Sequence, residues 1–185
     1  MFQPNIKQQI KQQSALGHTV IIPFLIDRYN PQSVADFGCG VGVFLYMFAK
    51  TINTYNYFGF DEYDYGDDLQ IHKNHFKQIN LSESMQDYNY KFDLTISLEV
   101  AEHISNADNF LDTLEHFTNK AVLFSAATPG QGGKDHCNEQ PHSYWHKKFE
   151  DRGGFRTRDI IRPIIRGVMG IPDYYKNNIF LYERI

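Results

Sequence analysis

The chain has two cysteines in 185 residues, Cys39 and Cys137, which fit no ligand or redox spacing. That excludes a thiolate metal site and a dithiol redox motif. Long apolar runs are also missing. No stretch approaches the eighteen or so residues that a membrane span needs, so no membrane partner is expected. The opening Met1-Phe2-Gln3-Pro4 lacks the basic-then-apolar order of a signal peptide. A cytoplasmic protein with free thiols is the expectation. Positive charge is not in excess: the net charge is −4, which argues against a general nucleic-acid binder. Internal repeats and low-complexity linkers are absent too, which favours one domain over residues 1–185.

What is there suits a globular fold. The hydrophobic fraction is 42% and the charged fraction 22%, both near the averages of folded domains, and the length is enough to bury a core. From Ser143 onward, nine Lys and Arg stand against five Asp and Glu. Such a bias could meet an anionic acceptor, but a solvated surface is the simpler reading.

Residues 1–30 form a helical segment, with Ile6, Ile10, Val20, Ile21, Phe24 and Leu25 at helical spacing and Gly17 as a break. The core is expected over 32–185. Its strands read as 33–37, 55–60, 75–79, 92–98, 121–126, 155–161 and 179–183, with apolar or amphipathic helical stretches between several of them. Ile104, Ala107, Phe110, Leu111, Leu114 and Phe117 share one helical face. Residues 143–152 form another helix, with Ser143 as its cap. This alternation predicts an α/β fold, a mostly parallel sheet with helices on both faces. Such sheets bind ligands beyond the C-terminal ends of their strands, where strand order reverses.

The motifs fall at those ends. Asp36-Phe37-Gly38-Cys39-Gly40-Val41-Gly42 joins a strand to a helix. Glycines there allow a tight turn and close backbone approach to a ligand, and the helix start offers unpaired N–H groups. Asp61 ends the second strand, nineteen residues after Gly42, where a carboxylate can accept from both hydroxyls of a ribose. Asn80-Leu81, after the third strand, offers an amide and a backbone N–H to an adenine edge. Glu62, Asp64, Asp67 and Asp68 read as a solvated acidic loop.

Together these segments resemble the class I S-adenosylmethionine-dependent methyltransferases. The loop 36–42 is similar to motif I of that family, Asp61 to its ribose-binding acid, Asn80-Leu81 to its adenine-side pair, and 92–103 to motif IV and its turn. Segments 124–133, 136–140, 144–145, 162–163 and 174–178 resemble a subgroup of small methyltransferases. The resemblance implies a Rossmann-like seven-stranded sheet with an antiparallel last strand, and S-adenosylmethionine as cofactor. It implies Asp36, Gly38, Cys39, Gly40, Gly42, Asp61, Asn80, Leu81, Leu98 and Glu99 as the cofactor-binding residues. A dinucleotide reading also exists, because Tyr144 and Lys148 match Tyr-x-x-x-Lys. The glycine spacing and the distance to Ser125 in sequence do not match the dehydrogenases that use that pair.

Methyl transfer is an in-line displacement at an activated sulfonium carbon, so alignment supplies much of the acceleration. A hydroxyl acceptor must also lose its proton, to a His, an acid or a metal-bound group. Glu99-Val100-Ala101-Glu102-His103 is the richest cluster at a strand end. Read as a helical turn, it places Glu99, Glu102 and His103 on one face. Two carboxylates and an imidazole suit Mg²⁺ or Mn²⁺, and the pattern is similar to the metal motif of small-RNA 3′-terminal 2′-O-methyltransferases and of ubiquinone-pathway O-methyltransferases. In the RNA enzymes a later His completes the set, and His136 is the counterpart here. The same residues can instead form a pocket wall or supply a base, with His136, His103 and Glu99 as the catalytic candidates. Asn138 is expected beside His136, over the methyl group. Tyr144, Trp145, Tyr174 and Tyr175 are either stacking platforms or core anchors. His18, His72, His75 and His116 are expected on the surface.

With little chain beyond sheet and helices, the site suits a small-molecule or glycan acceptor, and O-methylation of a sugar, glycan or small hydroxylated metabolite is the leading expectation. Nucleic acid, through RNA 2′-O-methylation, is the alternative that the net charge opposes. A cofactor-binding regulatory protein that transfers nothing is a third reading. Against it, the glycine loop and Asp61 are both intact. Nothing in the sequence fixes an oligomeric state.

Overall fold

The computed structural model describes residues 5–17, 19–83, 85 and 89–185. His18 and the opening four residues, read above for surface position and for a leader, lie outside them. In chain order the elements are α1 (Ile6–Gly17), α2 (Ile21–Tyr29), β1 (Val34–Phe37), α3 (Val43–Thr51), β2 (Tyr57–Asp61), β3 (Phe76–Gln78), β4 (Phe92–Leu98), α4 (Ala107–Phe117), β5 (Thr118–Ser125), α5 (His142–Asp151), β6 (Phe155–Arg158), α6 (Arg162–Ile165), α7 (Asp173–Asn178) and β7 (Phe180–Arg184). No helix among the described residues is long and apolar enough to cross a membrane.

The strands form a seven-stranded sheet in the order β3-β2-β1-β4-β5-β7-β6. β1 to β5 pair in parallel, and β7 runs antiparallel to both β5 and β6. All four residues of β1 are buried, as a central parallel strand covered on both faces requires. One face is closed by α4 and α5, whose Phe110, Leu111, Leu114, Phe117, Trp145 and Phe149 meet Phe37, Phe124 and Tyr182 of the sheet. Phe149 stacks on Tyr182 with centroids 3.7 Å apart. The other face takes Leu16, Ile22, Leu25, Phe44 and Phe48 from α1, α2 and α3, and Ile165 and Tyr175 from α6 and α7. Each such burial stabilises by roughly 1.5–3 kcal/mol.

Strand order turns between β1 and β4, so the loops after these neighbours face each other. Gly38 of one loop lies against Val100 of the other: a Cβ on Gly38 would stand 2.2 Å from a Val100 methyl. That is the switch point at which open α/β sheets bind ligands.

Several boundaries differ from expectation. β2 starts at Tyr57, leaving Tyr55 86% exposed. β5 starts at Thr118, directly after α4, where its hydroxyl lies 2.6 Å from that of Thr95 and donates to Leu114 O. Ser143 does not cap α5, because the chain enters that helix through Pro141 with no side-chain cap. Trp145 is a core anchor at 1% exposure, and Tyr144 packs partly buried against the same cluster. Most of the C-terminal cations are offset by neighbouring acids. Lys147, Lys148, Arg152, Arg158, Arg162, Lys176 and Arg184 are each in an ion pair with a carboxylate.

Candidate active site

A cleft of about 810 Å³ opens over the ends of β1, β2 and β4, a size typical of small-molecule sites. It brings together Gly38, Gly40, Asp61, Asn80, Leu81, Leu98, Glu99, Glu102, His103 and His136. Tyr144 and Lys148 are not on its wall; Lys148 bonds Asp108 at 2.7 Å and lies over the Tyr144 ring on α5. The dehydrogenase reading therefore has no site.

The glycine loop is shaped by β2. Gly38 N–H and Cys39 N–H both donate to Phe60 O, at 2.7 and 3.1 Å. Gly40 N–H donates to Asp61 Oδ2 at 2.7 Å, while Asp61 Oδ1 accepts from Tyr63 N–H and the Tyr65 hydroxyl at 3.0 and 3.3 Å. Burial raises the Asp61 pKa above the usual carboxylate range, and these donors pull it back. Gly38 and Gly40 have φ of +85° and +56°, a region that side chains disfavour. The missing Cβ of Gly40 points at the Gln13 and Gln9 carboxamides of α1, 2.8 and 2.9 Å away. A side chain there would push α1 rather than fill the cleft.

Asp36, Cys39 and Gly42, expected against the cofactor, are not on the wall of the cleft. Asp36 is 5% exposed, and burial, then Asp61, raises its carboxyl pKa well above the usual range. The Cys39 thiol faces Gly59, and Gly42 faces Ile71. They set the loop's shape from below. The first two N–H groups of α3 are already taken, because Gln13 Oε1 accepts from Val43 N–H at 2.9 Å and Phe44 N–H at 3.5 Å. Gln13 Nε2 donates to Cys39 O at 3.0 Å, so one side chain ties α1 across the loop. Sequence reasoning missed this residue; its signal was the run of glutamines at 8, 9, 12 and 13 on a helix otherwise read for its isoleucines.

After β4 the backbone differs from the expected helical turn. Glu99 is left-handed at φ +57°, and one 3-10 turn covers only Ala101–His103. The premise that Glu99, Glu102 and His103 share a helix face therefore fails. Glu99 instead accepts from Gln131 Nε2 at 3.0 Å and Asn178 Nδ2 at 3.3 Å, and its N–H donates to Ser125 Oγ. Glu102, His103 and His136 do converge: one ligand atom from each lies within 4.8 Å of the others. Glu99 stands outside that trio. Glu102 is 1% exposed with no hydrogen-bond partner on Oε2 among the described residues, and its pKa is pushed up to about 8 by burial and then by the Glu99 charge. His136 Nε2 lies 4.0 Å from Glu102 Oε1, and the His103 and His136 rings meet edge to face at 4.7 Å. Burial lowers the His103 pKa.

Asn138 does not face the cleft as expected. Its Nδ2 donates to Ile104 O at 3.1 Å, and the N–H groups of Cys137 and Asn138 both donate to Glu102 O at 2.9 Å. These bonds stitch the loop after β5 onto the 3-10 turn and so carry His136 to Glu102. Tyr174 and Tyr175 line the cleft beside Glu99.

Strand order, glycine loop and the acid that ends β2 define a class I S-adenosylmethionine-dependent methyltransferase. The sequence model of a methyltransferase domain matches residues 14–164, and the chain belongs to that family. Among curated proteins none matches its sequence. Solved structures share the fold at low identity. Magnesium protoporphyrin IX methyltransferase from Synechocystis PCC 6803, with bound S-adenosylhomocysteine, has a TM-score of 0.62 at 17% identity over 100% of this chain and 88% of that one. The plantazolicin methyltransferase BpumL, also with S-adenosylhomocysteine, has a TM-score of 0.66 at 12% identity over 96% and 85%. The methyltransferase domain of bacterial CtHen1 has a TM-score of 0.61 at 18% identity over 95% and 100%.

Proposed function

We propose that the chain O-methylates a small hydroxylated acceptor, a sugar or related metabolite, with a divalent cation of the Mg²⁺ or Mn²⁺ type held by Glu102, His103 and His136. The observation that carries this reading is the trio itself, with a buried carboxylate oxygen that has no partner among the described residues. An orphaned acceptor of this kind costs about 1–3 kcal/mol unless something completes it, and a carboxylate with two imidazoles suits a borderline divalent ion such as Mn²⁺ better than the oxygen-seeking Mg²⁺. When bound, such a cation would lower the pKa of a coordinated hydroxyl, whose proton would pass to water at neutral pH.

The protein's own groups would do the rest. Asp61 would fix the ribose of S-adenosylmethionine and so aim its methyl group along the cleft. Glu99, held by Gln131 and Asn178, would supply a fixed acceptor for a second hydroxyl of the substrate. Tyr174 would offer a ring face beside it. Among the described lining residues, Asp61, Glu62, Glu99 and Asp135 stand with one lysine, Lys134. That charge balance favours a neutral acceptor over a phosphodiester chain and sets the RNA reading second.

The test is a methyl-transfer screen with labelled S-adenosylmethionine, run with Mn²⁺ and with EDTA, across polyols, sugars, catechols and short RNA. Turnover of a hydroxylated small molecule that stops in EDTA and weakens in Glu102→Gln supports the proposal. Full activity in EDTA would remove the cation, and preference for RNA would replace the acceptor.

A further inference from the structure

The loop after β5 is built around one imidazole. His136 Nδ1 lies 2.7 Å from Glu139 Oε1. The same carboxylate accepts two backbone amides, Gly132 N–H on Oε1 and Gly130 N–H on Oε2, each at 2.8 Å. Backbone amides can only donate, so the Glu139 carboxylate is pinned as an acceptor. Its partner Nδ1 must then carry the hydrogen. In the neutral ring that leaves the lone pair on Nε2, the nitrogen that faces Glu102. Gly133 closes one side of the ring: a Cβ there would stand 2.2 Å from Nε2 and 2.4 Å from Cε1. A ring gripped at Nδ1 and packed against bare backbone has little freedom to turn.

We infer that Glu139 is a positioning residue, which holds His136 in its Nδ1–H tautomer with the Nε2 lone pair presented to Glu102 and the cleft. The inference rests on the reading of His136 as a working residue, but it serves that residue equally as cation ligand or as proton acceptor. A carboxylate behind a ligating histidine fixes both tautomer and aim, and its loss typically costs ten- to a hundredfold in metal affinity. Glu139 has a merely architectural alternative, because its two amide bonds alone would order the loop.

Two measurements on the full chain separate these roles. The first is ¹⁵N-histidine NMR at a pH of about 8 without metal, with the His136 signals assigned through His136→Gln. Wild type should show a protonated Nδ1 and a bare Nε2. Glu139→Ala should shift the ring toward Nε2–H, while Glu139→Gln, whose carbonyl can still accept from Nδ1, should largely keep the wild-type tautomer. The second is Mn²⁺ binding followed by the paramagnetic resonance of the free ion. Glu139→Ala should weaken it ten- to a hundredfold, with Glu139→Gln between. An unchanged tautomer in Glu139→Ala, with the fold intact by amide dispersion, overturns the inference. If wild type binds no Mn²⁺, the cation in the proposed function is lost, and the tautomer measurement alone still decides the part played by Glu139.

Discussion

Replacing Asp61 by Ala should separate cofactor binding from folding. In the protein alone, the carboxylate accepts from Gly40 N–H, Tyr63 N–H and the Tyr65 hydroxyl, of which Gly40 N–H at 2.7 Å is the shortest and belongs to the glycine loop. Leaving that amide unpaired costs about 1–3 kcal/mol. Part of this is offset, because the carboxylate itself is buried and its charge is disfavoured there. For a chain of this length, 1 kcal/mol moves Tm by roughly 2–4 °C. A fall of several degrees is therefore expected, with the transition still cooperative. Binding should suffer far more. Two hydrogen bonds from ribose hydroxyls to a charged acceptor contribute about 1.5–3 kcal/mol each, so their joint loss weakens affinity by roughly 10²–10⁴-fold. Calorimetric titration with S-adenosylhomocysteine reads this directly, with Asp68→Ala as a control on the exposed acidic turn nearby. Affinity for Asp61→Ala within about twofold of wild type would refute the ribose assignment. So would an equal loss in the control, which would trace the effect to the general field of the acidic loop.

Gly38→Ala should destabilise by about 2–4 kcal/mol, from positive φ and from overlap with Val100; denaturant unfolding should show part of that loss restored when Val100→Ala is added. Gln13→Leu removes the tie between α1 and the glycine loop and should cost about 1–2 kcal/mol as a lost helix cap. Amide exchange across Ile6–Gly17 should accelerate while that of β4 and β5 does not. His146 has its pKa lowered by burial, with Nδ1 bonded to the Tyr182 hydroxyl at 2.9 Å. A depressed folded pKa means that its neutral form stabilises the protein above about pH 6.5, and that this contribution fades as pH falls through the folded value. Thermal unfolding from pH 7.5 to 5 should therefore show a shallower decline in His146→Gln than in wild type.

The parts of this molecule that sequence made legible are those in which one residue type has one physical use. A glycine-rich turn between a buried strand and an apolar helix has few alternatives, and an acid at the next strand's end has nowhere to point but across that turn. Asp61 and Gly40 meet accordingly. The alternation of apolar strands with helices likewise leaves little choice of sheet. Legibility failed where a side chain's role depends on backbone that no local rule predicts. Counting i, i+3 and i+4 puts Glu99 on a helix face, but its left-handed φ turns it toward Gln131 of the loop after β5 and Asn178 at the end of α7. The Gly/Pro-rich loop after the fifth strand puts Asn138 over the methyl group by its place in the fold, but the structure uses its amide to bond that loop onto the 3-10 turn at Ala101–His103. Glu139 carried no signal of its own, because an acid in a glycine-rich loop is ordinarily a solvated one. Its meaning comes from two amides and one imidazole that meet only when that loop closes on itself. The cofactor half of the site is thus written in contiguous motifs, while the half that would receive the acceptor is assembled from single residues of the loop after β4, of α7 and of the loop after β5. That division is why the chemistry of the family can be read from the chain, and why the acceptor has to be found by assay.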